Sequence, residues 1–240
     1  MSKQYTTSIL SVDELSNTQL KDIVNLYLEY YDGSSESLVL SDLKSKTKIL
    51  LLFFQKKIVG FTTFEIYNKK WFDQSIKIIY SGDTVVHKKH WGQQSLAFSW
   101  VRHIGELKKK HPNTPIYWFL IVKGHRTYKY LPAFTSSFYP HWEKNCDDLK
   151  PLLNTLAKDK FGNLYNEESS IISFERSYGH LKSEYAYPNE NEKKNEAVQF
   201  FLKKNPEYIN GNELACICSF DDENLRPFTK RILYPKGEVA

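Results

Sequence analysis

Histidine is the side chain whose ordinary titration falls near neutral pH, and His87, His90 and His125 are each chemically able to act as a base. His87 and His90 bracket Lys88 and Lys89, whose charges would disfavour protonation of either ring at close range. Ser95 and Cys146 are the residues considered as nucleophiles, and neither stands in a recognised nucleophile motif. Ser95 falls in the first turn of a predicted helix, where a hydroxyl caps amides or meets a phosphate. Cys146 lies in a charged stretch with no local sign of activation. Cys146, Cys216 and Cys218 have neither zinc nor disulfide spacing, so no metal is expected. Cys216 and Cys218 flank Ile217 in a strand-like run and should share one face as small buried hydrophobes.

These groups must be held by secondary structure, and the spacing of apolar residues predicts it. From Val12 to Tyr31 the apolar positions recur at helical intervals, with Ser16 or Asn17 as the cap. A loop over Asp32 to Ser37 precedes a short helix around Leu38 to Lys44. Lys48 to Gln55 and Lys57 to Tyr67 read as a hairpin of central strands. The polar stretch Asn68 to Gln74 leads into a β-branched strand, Ile76 to Val86, then a turn over His87 to Gly92 and a half-buried helix from Gln93 to Lys110. Pro112 and Pro115 stop that helix, and Lys108, Lys109 and Lys110 complement its carbonyl end. Ile116 to Val122 is a wholly apolar strand, and helical character resumes from Thr127 to Phe138. Further on, Asp147 to Phe161 and Glu196 to Lys204 read as helices, Ser170 to Phe174 and Glu213 to Phe220 as strands, Tyr178 to Asn195 as loop, and Glu223 to Ile232 as a helical tail. The fold class is α/β, with helices able to cover both faces of a sheet.

The segment that carries the most chemistry is Tyr80-Ser81-Gly82-Asp83-Thr84-Val85-Val86-His87-Lys88-Lys89-His90-Trp91-Gly92-Gln93-Gln94-Ser95-Leu96. Successive free amides in a turn, running into a helix N-terminus, form an anion site, and a glycine lets a phosphate approach closely. This strand, loop and helix resemble the cofactor-binding core of the GNAT acyltransferases. In that family the loop reads Gln or Arg, two residues, Gly, one residue, then Gly or Ala, and its amides hold the pyrophosphate of acyl-coenzyme A. Gly92 matches the glycine; Trp91 stands at the basic position, and Gln94 and Leu96 stand where small residues are usual.

The resemblance implies a mixed, mostly antiparallel central sheet flanked by helices within residues 1–142 and does not extend beyond it; with no long linker after it, residues 143–240 are expected to form an α/β extension packed on the same core and shaping an acceptor pocket. It implies acetyl-CoA or another acyl-CoA as co-substrate, held around Val85, Val86, Lys88, Trp91, Gly92, Gln93, Gln94 and Ser95, and a small-molecule or protein amine as acceptor. Acyl transfer to an amine needs a base, an amide donor for the thioester carbonyl and an acid for the leaving sulfur. Val85 or Val86 would supply the amide, Asp83 or Glu65 the base, and Tyr128, with Tyr130 second, the acid. The incomplete glycine pattern keeps a second expectation open, a GNAT-like binding or structural module without catalysis.

Hydrophobic residues at 41% and charged residues at 25% of 240 positions exclude disorder of the whole chain. The excess of 33 Lys and Arg over 28 Asp and Glu is spread without a dense stripe, so nothing marks a nucleic-acid reader. Met1 to Leu10 lacks the features of a secretion signal, and no run is long enough to span a membrane. With an odd number of cysteines, a cytoplasmic location is expected.

Overall fold

The computed structural model describes residues 5–174 and 178–235. Strand β1 (Tyr5–Ser11) precedes helix α1 (Asn17–Tyr30), a short strand β2 (Tyr31–Asp32) and α2 (Glu36–Lys44). Then come β3 (Lys48–Phe54), β4 (Lys57–Trp71), β5 (Gln74–Val86), α3 (Ser95–Lys110) and β6 (Ile116–Val122). Two short helices, α4 (His125–Tyr128) and α5 (Tyr130–Phe134), lead to α6 (Lys150–Phe161) and the two-residue strands β7 (Tyr165–Asn166), β8 (Ile171–Ile172) and β9 (His180–Leu181). The last described part holds α7 (Ser183–Ala186), α8 (Glu196–Lys204), β10 (Glu213–Ser219) and α9 (Pro227–Leu233).

Eight strands form one sheet in the order β1-β3-β4-β5-β6-β10-β8-β7. Every neighbouring pair is antiparallel except β5 and β6, which run parallel because α3 carries the chain back between them. Alternation along the strands divides the core. Leu50 and Leu52, Trp118 and Leu120, and Cys216 and Cys218 face α3 and α8. Their odd-even neighbours Ile49, Leu51 and Val85 face α1 and α2, whereas Ile78, Tyr80, Phe119 and Ile217 face α6. The second face therefore carries two separate apolar clusters, and a seam runs between them.

The cap of α1 is Ser16, which accepts from the Gln19 amide while the Gln19 side chain reaches back. Several elements differ from the sequence expectation. Tyr5 to Ser11, read as a polar start, pairs along its full length with β3. Asn68 to Trp71 is strand, because β4 and β5 stay paired out to Trp71↔Gln74. The single helix expected over Thr127 to Phe138 is two short ones meeting at Lys129, and Pro132 has no amide to give to a continuous helix. Within Tyr178 to Asn195, β9 pairs with β2 and α7 follows. From the carboxy-terminal part, β10 pairs with β6 from Leu214↔Val122 to Ser219↔Tyr117, so residues beyond 143 complete the central sheet.

Candidate active site

The site begins where the two parallel strands separate. Pairing between β5 and β6 ends at Ser81↔Leu120, although β5 continues to Val86. The His87 amide donates to the Val59 carbonyl at 2.9 Å, so alternation along the antiparallel ladder turns the main-chain groups of Val85 toward β4 and those of Thr84 and Val86 away from it. A cleft of about 540 Å³ opens on that side, lined by Thr84, Val85, Val86, the loop from His90 to Gln94, and Arg126, Thr127 and Tyr130. It contains Val85, Val86, Trp91, Gly92, Gln93 and Gln94 of the sequence-derived set.

The loop amides have mostly internal partners. Those of His90 and Trp91 donate to the carbonyls of His87 and Lys88, and that of Gln93 to His90. The Lys88 amide donates to the Tyr30 hydroxyl at 2.6 Å, and the Lys89 amide to Nδ1 of His87. Oε1 of Gln93 accepts from the amides of Ser95 and Leu96 at 2.7 and 3.4 Å, so the chain's own carboxamide caps α3. Gly92 has φ +84, and a side-chain carbon built on it meets nothing within 4 Å. The Trp91 indole donates to the Val86 carbonyl at 2.7 Å and lies 4.6 Å beneath the Arg126 guanidinium. Arg126 and Lys129 bring positive charge to the cleft, and Glu192 meets both, at 3.3 and 3.6 Å.

Five expected residues lie elsewhere. Tyr128 is fully buried, its hydroxyl donates to the Pro140 carbonyl at 2.7 Å, and its ring packs among Phe138, Phe200 and Phe201. Burial raises its pKa, and Tyr128 is not among the residues that line the cleft. Tyr130, the second choice, lines the cleft and stacks on Phe134. Glu65 is held at 3.0 Å by Lys160 of α6, away from the lining. Ser95 and Lys88 are not in the lining either; the Lys88 ammonium bonds the Tyr185 hydroxyl at 3.2 Å. The histidines have other duties. His87 faces Glu29 at 3.4 Å, and His90 bonds the Tyr5 hydroxyl at 3.0 Å. His125 is buried, which with Arg126 beside it pulls its pKa down to about 4 and keeps the ring neutral. Burial raises the thiols of Cys146, Cys216 and Cys218, the opposite of activation.

Asp83 is in a different compartment. On the seam of the other face, a chamber of about 150 Å³ is lined by Tyr27, Asp42, Lys46, Tyr80, Gly82, Asp83, Lys123 and Glu213 among others. Asp83 on β5, Lys123 just past the end of β6 and Glu213 on β10 each place an ionisable side chain there. The Lys123 ammonium lies 3.5 Å from both carboxylates and above the rings of Tyr27 and Tyr31, which stack at 4.3 Å. Asp42 of α2 and Lys46 in the turn after it pair at 2.7 Å, with the Lys46 side chain the more buried of the two. Burial works against the Asp83 charge, but Lys123 and Lys46 outweigh it and hold the carboxyl below its usual range. Burial pushes Glu213 up to about 7, helped by Asp83 and Asp42 and opposed by Lys123. Burial also opposes the Lys123 charge, yet Glu213, Tyr27 and Asp83 keep it firmly protonated.

Cleft and chamber both border a small gap at the splay. A gap of about 30 Å³, lined by Ser81, Gly82, Thr84, Trp100, Trp118, Ile121, Thr127 and Tyr130 among others, shares Thr84, Thr127 and Tyr130 with the cleft and Gly82 and Ile121 with the chamber. Sequence reasoning missed Lys123, Glu213, Asp42 and Lys46. Their signal was a charge at the end of each apolar alternation, Lys123 after Phe119 and Ile121, and Glu213 before Ala215 and Ile217.

No family model matches the chain, and no curated protein matches it. Several solved structures resemble it. Three of them carry acyl- or acetyltransferase descriptions. One is a GNAT family N-acetyltransferase from Escherichia coli in complex with CoA, with 12% identity, TM-score 0.40, and 56% of this chain and 70% of that one covered. Another is an aminoglycoside N-acetyltransferase in complex with CoA, with 11% identity, TM-score 0.43, and 61% and 99% covered. A third, from Enterococcus faecalis V583, bears the description "Probable N-Acyltransferase", at 8% identity and TM-score 0.41; 55% of this chain is covered and only 33% of that one. Among the described residues, no helix is long and apolar enough to cross a membrane, and no group of His, Cys, Asp or Glu is arranged to hold a metal ion.

Proposed function

We propose that the chain is a divergent member of the GNAT superfamily that transfers an acyl group from acyl-coenzyme A to an amine. The observation that carries this reading is the separation of β5 from β6 beyond Ser81↔Leu120, with the main-chain groups of Thr84 and Val86 turned into a cleft that ends at the start of α3. The thioester supplies an activated carbonyl. The chain's own residues do the rest. The Val86 amide polarises the carbonyl, the Gly92 turn and the first turn of α3 hold the diphosphate, Arg126 and Lys129 balance its charge, and Tyr130 donates a proton to the departing sulfur. Asp83, ionised beside Lys123, fixes charge on the acceptor side. The gap at the splay, about 30 Å³, suits a short acyl group, so acetyl-coenzyme A is the favoured donor.

Calorimetry with acetyl-, butyryl- and octanoyl-coenzyme A tests the reading; heat of binding is expected, largest for the shortest acyl group. Heat with no donor would remove it. A second reading, a binding or structural module without catalysis, is favoured by the Trp91 indole on the Val86 carbonyl and by Gln93 occupying the first amides of α3. Donor binding without release of free thiol in the presence of amines would select that reading.

A further inference from the structure

Resting on the reading of the cleft as a diphosphate site, we infer that Glu192 is the chain's own competitor for that diphosphate. Its carboxylate stands on Arg126 and Lys129 until the ligand's anion displaces it, and the exposed segment that carries it then leaves the cleft. Glu192 lines the cleft together with Gly92, Gln93, Arg126 and Lys129. Its Oε2 lies 3.3 Å from Nη2 of Arg126, and its Oε1 lies 3.6 Å from Nζ of Lys129 and 3.5 Å from Nε2 of His125. Burial opposes its charge, but the Asn189 amide, Arg126 and Lys129 outweigh burial and hold the carboxyl below its usual range. An anion therefore already sits on the cations of the cleft.

Three observations mark this anion as displaceable. The first is the length of its contacts. A gripped carboxylate sits about 2.7–2.9 Å from a cationic donor, as Asp42 sits 2.7 Å from Lys46, whereas Glu192 comes no closer than 3.3 Å to any of its three basic neighbours. The second is that Arg126 has other supports. Its guanidinium donates to the Tyr185 carbonyl at 2.6 Å and lies 4.6 Å over the Trp91 indole, and these hold it in place when Glu192 leaves. The third is the light tether of the segment. From Asn189 to Asn195, between α7 and α8, every residue is exposed except Glu192. Among the described residues, the other hydrogen bonds of this stretch run within it or to the start of α8. What ties it to the cleft wall is the same carboxylate that a stronger anion replaces.

The exchange leaves no charge stranded. Phosphate oxygens take over Arg126 and Lys129, and the released carboxylate enters water, where an anion is well solvated. With Glu192 seated, the two cations are half neutralised; with it withdrawn, both face the diphosphate. Behind them the buried His125 makes no hydrogen bond from either ring nitrogen. A neutral ring protonated at Nε2 can donate to whichever anion is seated there.

The test uses the full chain with two probes, inorganic pyrophosphate and acetyl-coenzyme A. In calorimetry E192Q, which keeps the side-chain shape and removes the charge, is expected to bind each probe about tenfold more tightly than the unaltered protein. Trypsin gives a second readout that needs no variant, because Lys193 and Lys194 follow Glu192 on the exposed segment. Saturating pyrophosphate is expected to speed cleavage there about threefold or more, since the ligand frees the segment. Unchanged or weaker binding by E192Q, or protection of Lys193 and Lys194 by the ligand, would overturn the inference and assign Glu192 to holding Arg126. Tighter pyrophosphate binding with no acetyl-coenzyme A heat from either protein would uphold the competitor and sink the acyl-coenzyme A reading instead. No heat from either probe with either protein would overturn both.

Discussion

The two compartments on either side of the splay are built by opposite means. The cleft is large, and it follows the main chain of a diverging strand edge and the Gly92 turn, with Trp91, Arg126, Tyr130 and Tyr185 around them. The chamber is small, and its lining is mostly charged and aromatic side chains, with Asp83, Lys123 and Glu213 from β5, the end of β6 and β10, and Asp42 and Lys46 from α2 and the turn after it. Main chain recognises what many ligands share, a carbonyl and a diphosphate. Side chains recognise what one ligand owns. The cleft can therefore tolerate Trp91 and Gln93 in place of a glycine-rich pattern, whereas no single charge in the chamber can change without unbalancing the others.

Five substitutions sharpen or break this contrast. The largest effect is expected from G92E, which directs a carboxylate at the diphosphate from a left-handed backbone position; acyl-coenzyme A heat should vanish. Y130F should lower kcat by about a hundredfold with KM little changed, measured by thiol release, whereas Y128F should leave kcat alone and cost about 1 kcal/mol through the lost bond to Pro140. Equal kinetic losses in both would erase the distinction between Tyr130 and Tyr128. For E213Q the readout is Tm against pH. The Glu213 carboxyl is raised from 4.5 to about 7 in the folded chain, so the folded state holds its proton longer than the unfolded one, and stability is lost as pH rises through that window. The substitution should flatten that decline, and an unchanged slope would assign it to other groups. The smallest effect belongs to Q93A: loss of the α3 cap should cost about 1 kcal/mol and, by freeing the Ser95 and Leu96 amides, tighten acyl-coenzyme A binding.

Much of this was legible in the residues. The helical period of α1, the apolar runs of β3 and β6, and the strand-turn-helix around Gly92 announced themselves, because each buries one coherent face. Strand β1 did not: its Thr and Ser residues gain their place from pairing with β3 and from contacts such as Thr7 to Ser99, at 2.5 Å. The far end of the β4–β5 hairpin was hidden for the same reason, since Lys69, Lys70 and Ser75 are strand only through their partners. Asp83 was visible because it neighbours the loop. Glu213 and Lys123 were not, because they stand 90 residues apart in the chain and meet only once β10 docks beside β6 in the register that sets Leu214 against Val122. Tyr128 and Tyr130 differ by half a helical turn's worth of direction, which a list of tyrosines does not reveal.

That docking has a consequence for how the molecule must be made. On a ribosome, β6 emerges long before β10, and until Glu213 to Ser219 have followed, the wholly apolar Ile116–Val122 presents bare amides and carbonyls along one side. A nascent or clipped chain ending earlier would be sticky, and its natural fate is aggregation or capture by a chaperone. The strand that delivers the acid to the chamber is thus also the one that seals the sheet, so a chain competent for chemistry is of necessity a chain that has ceased to be adhesive.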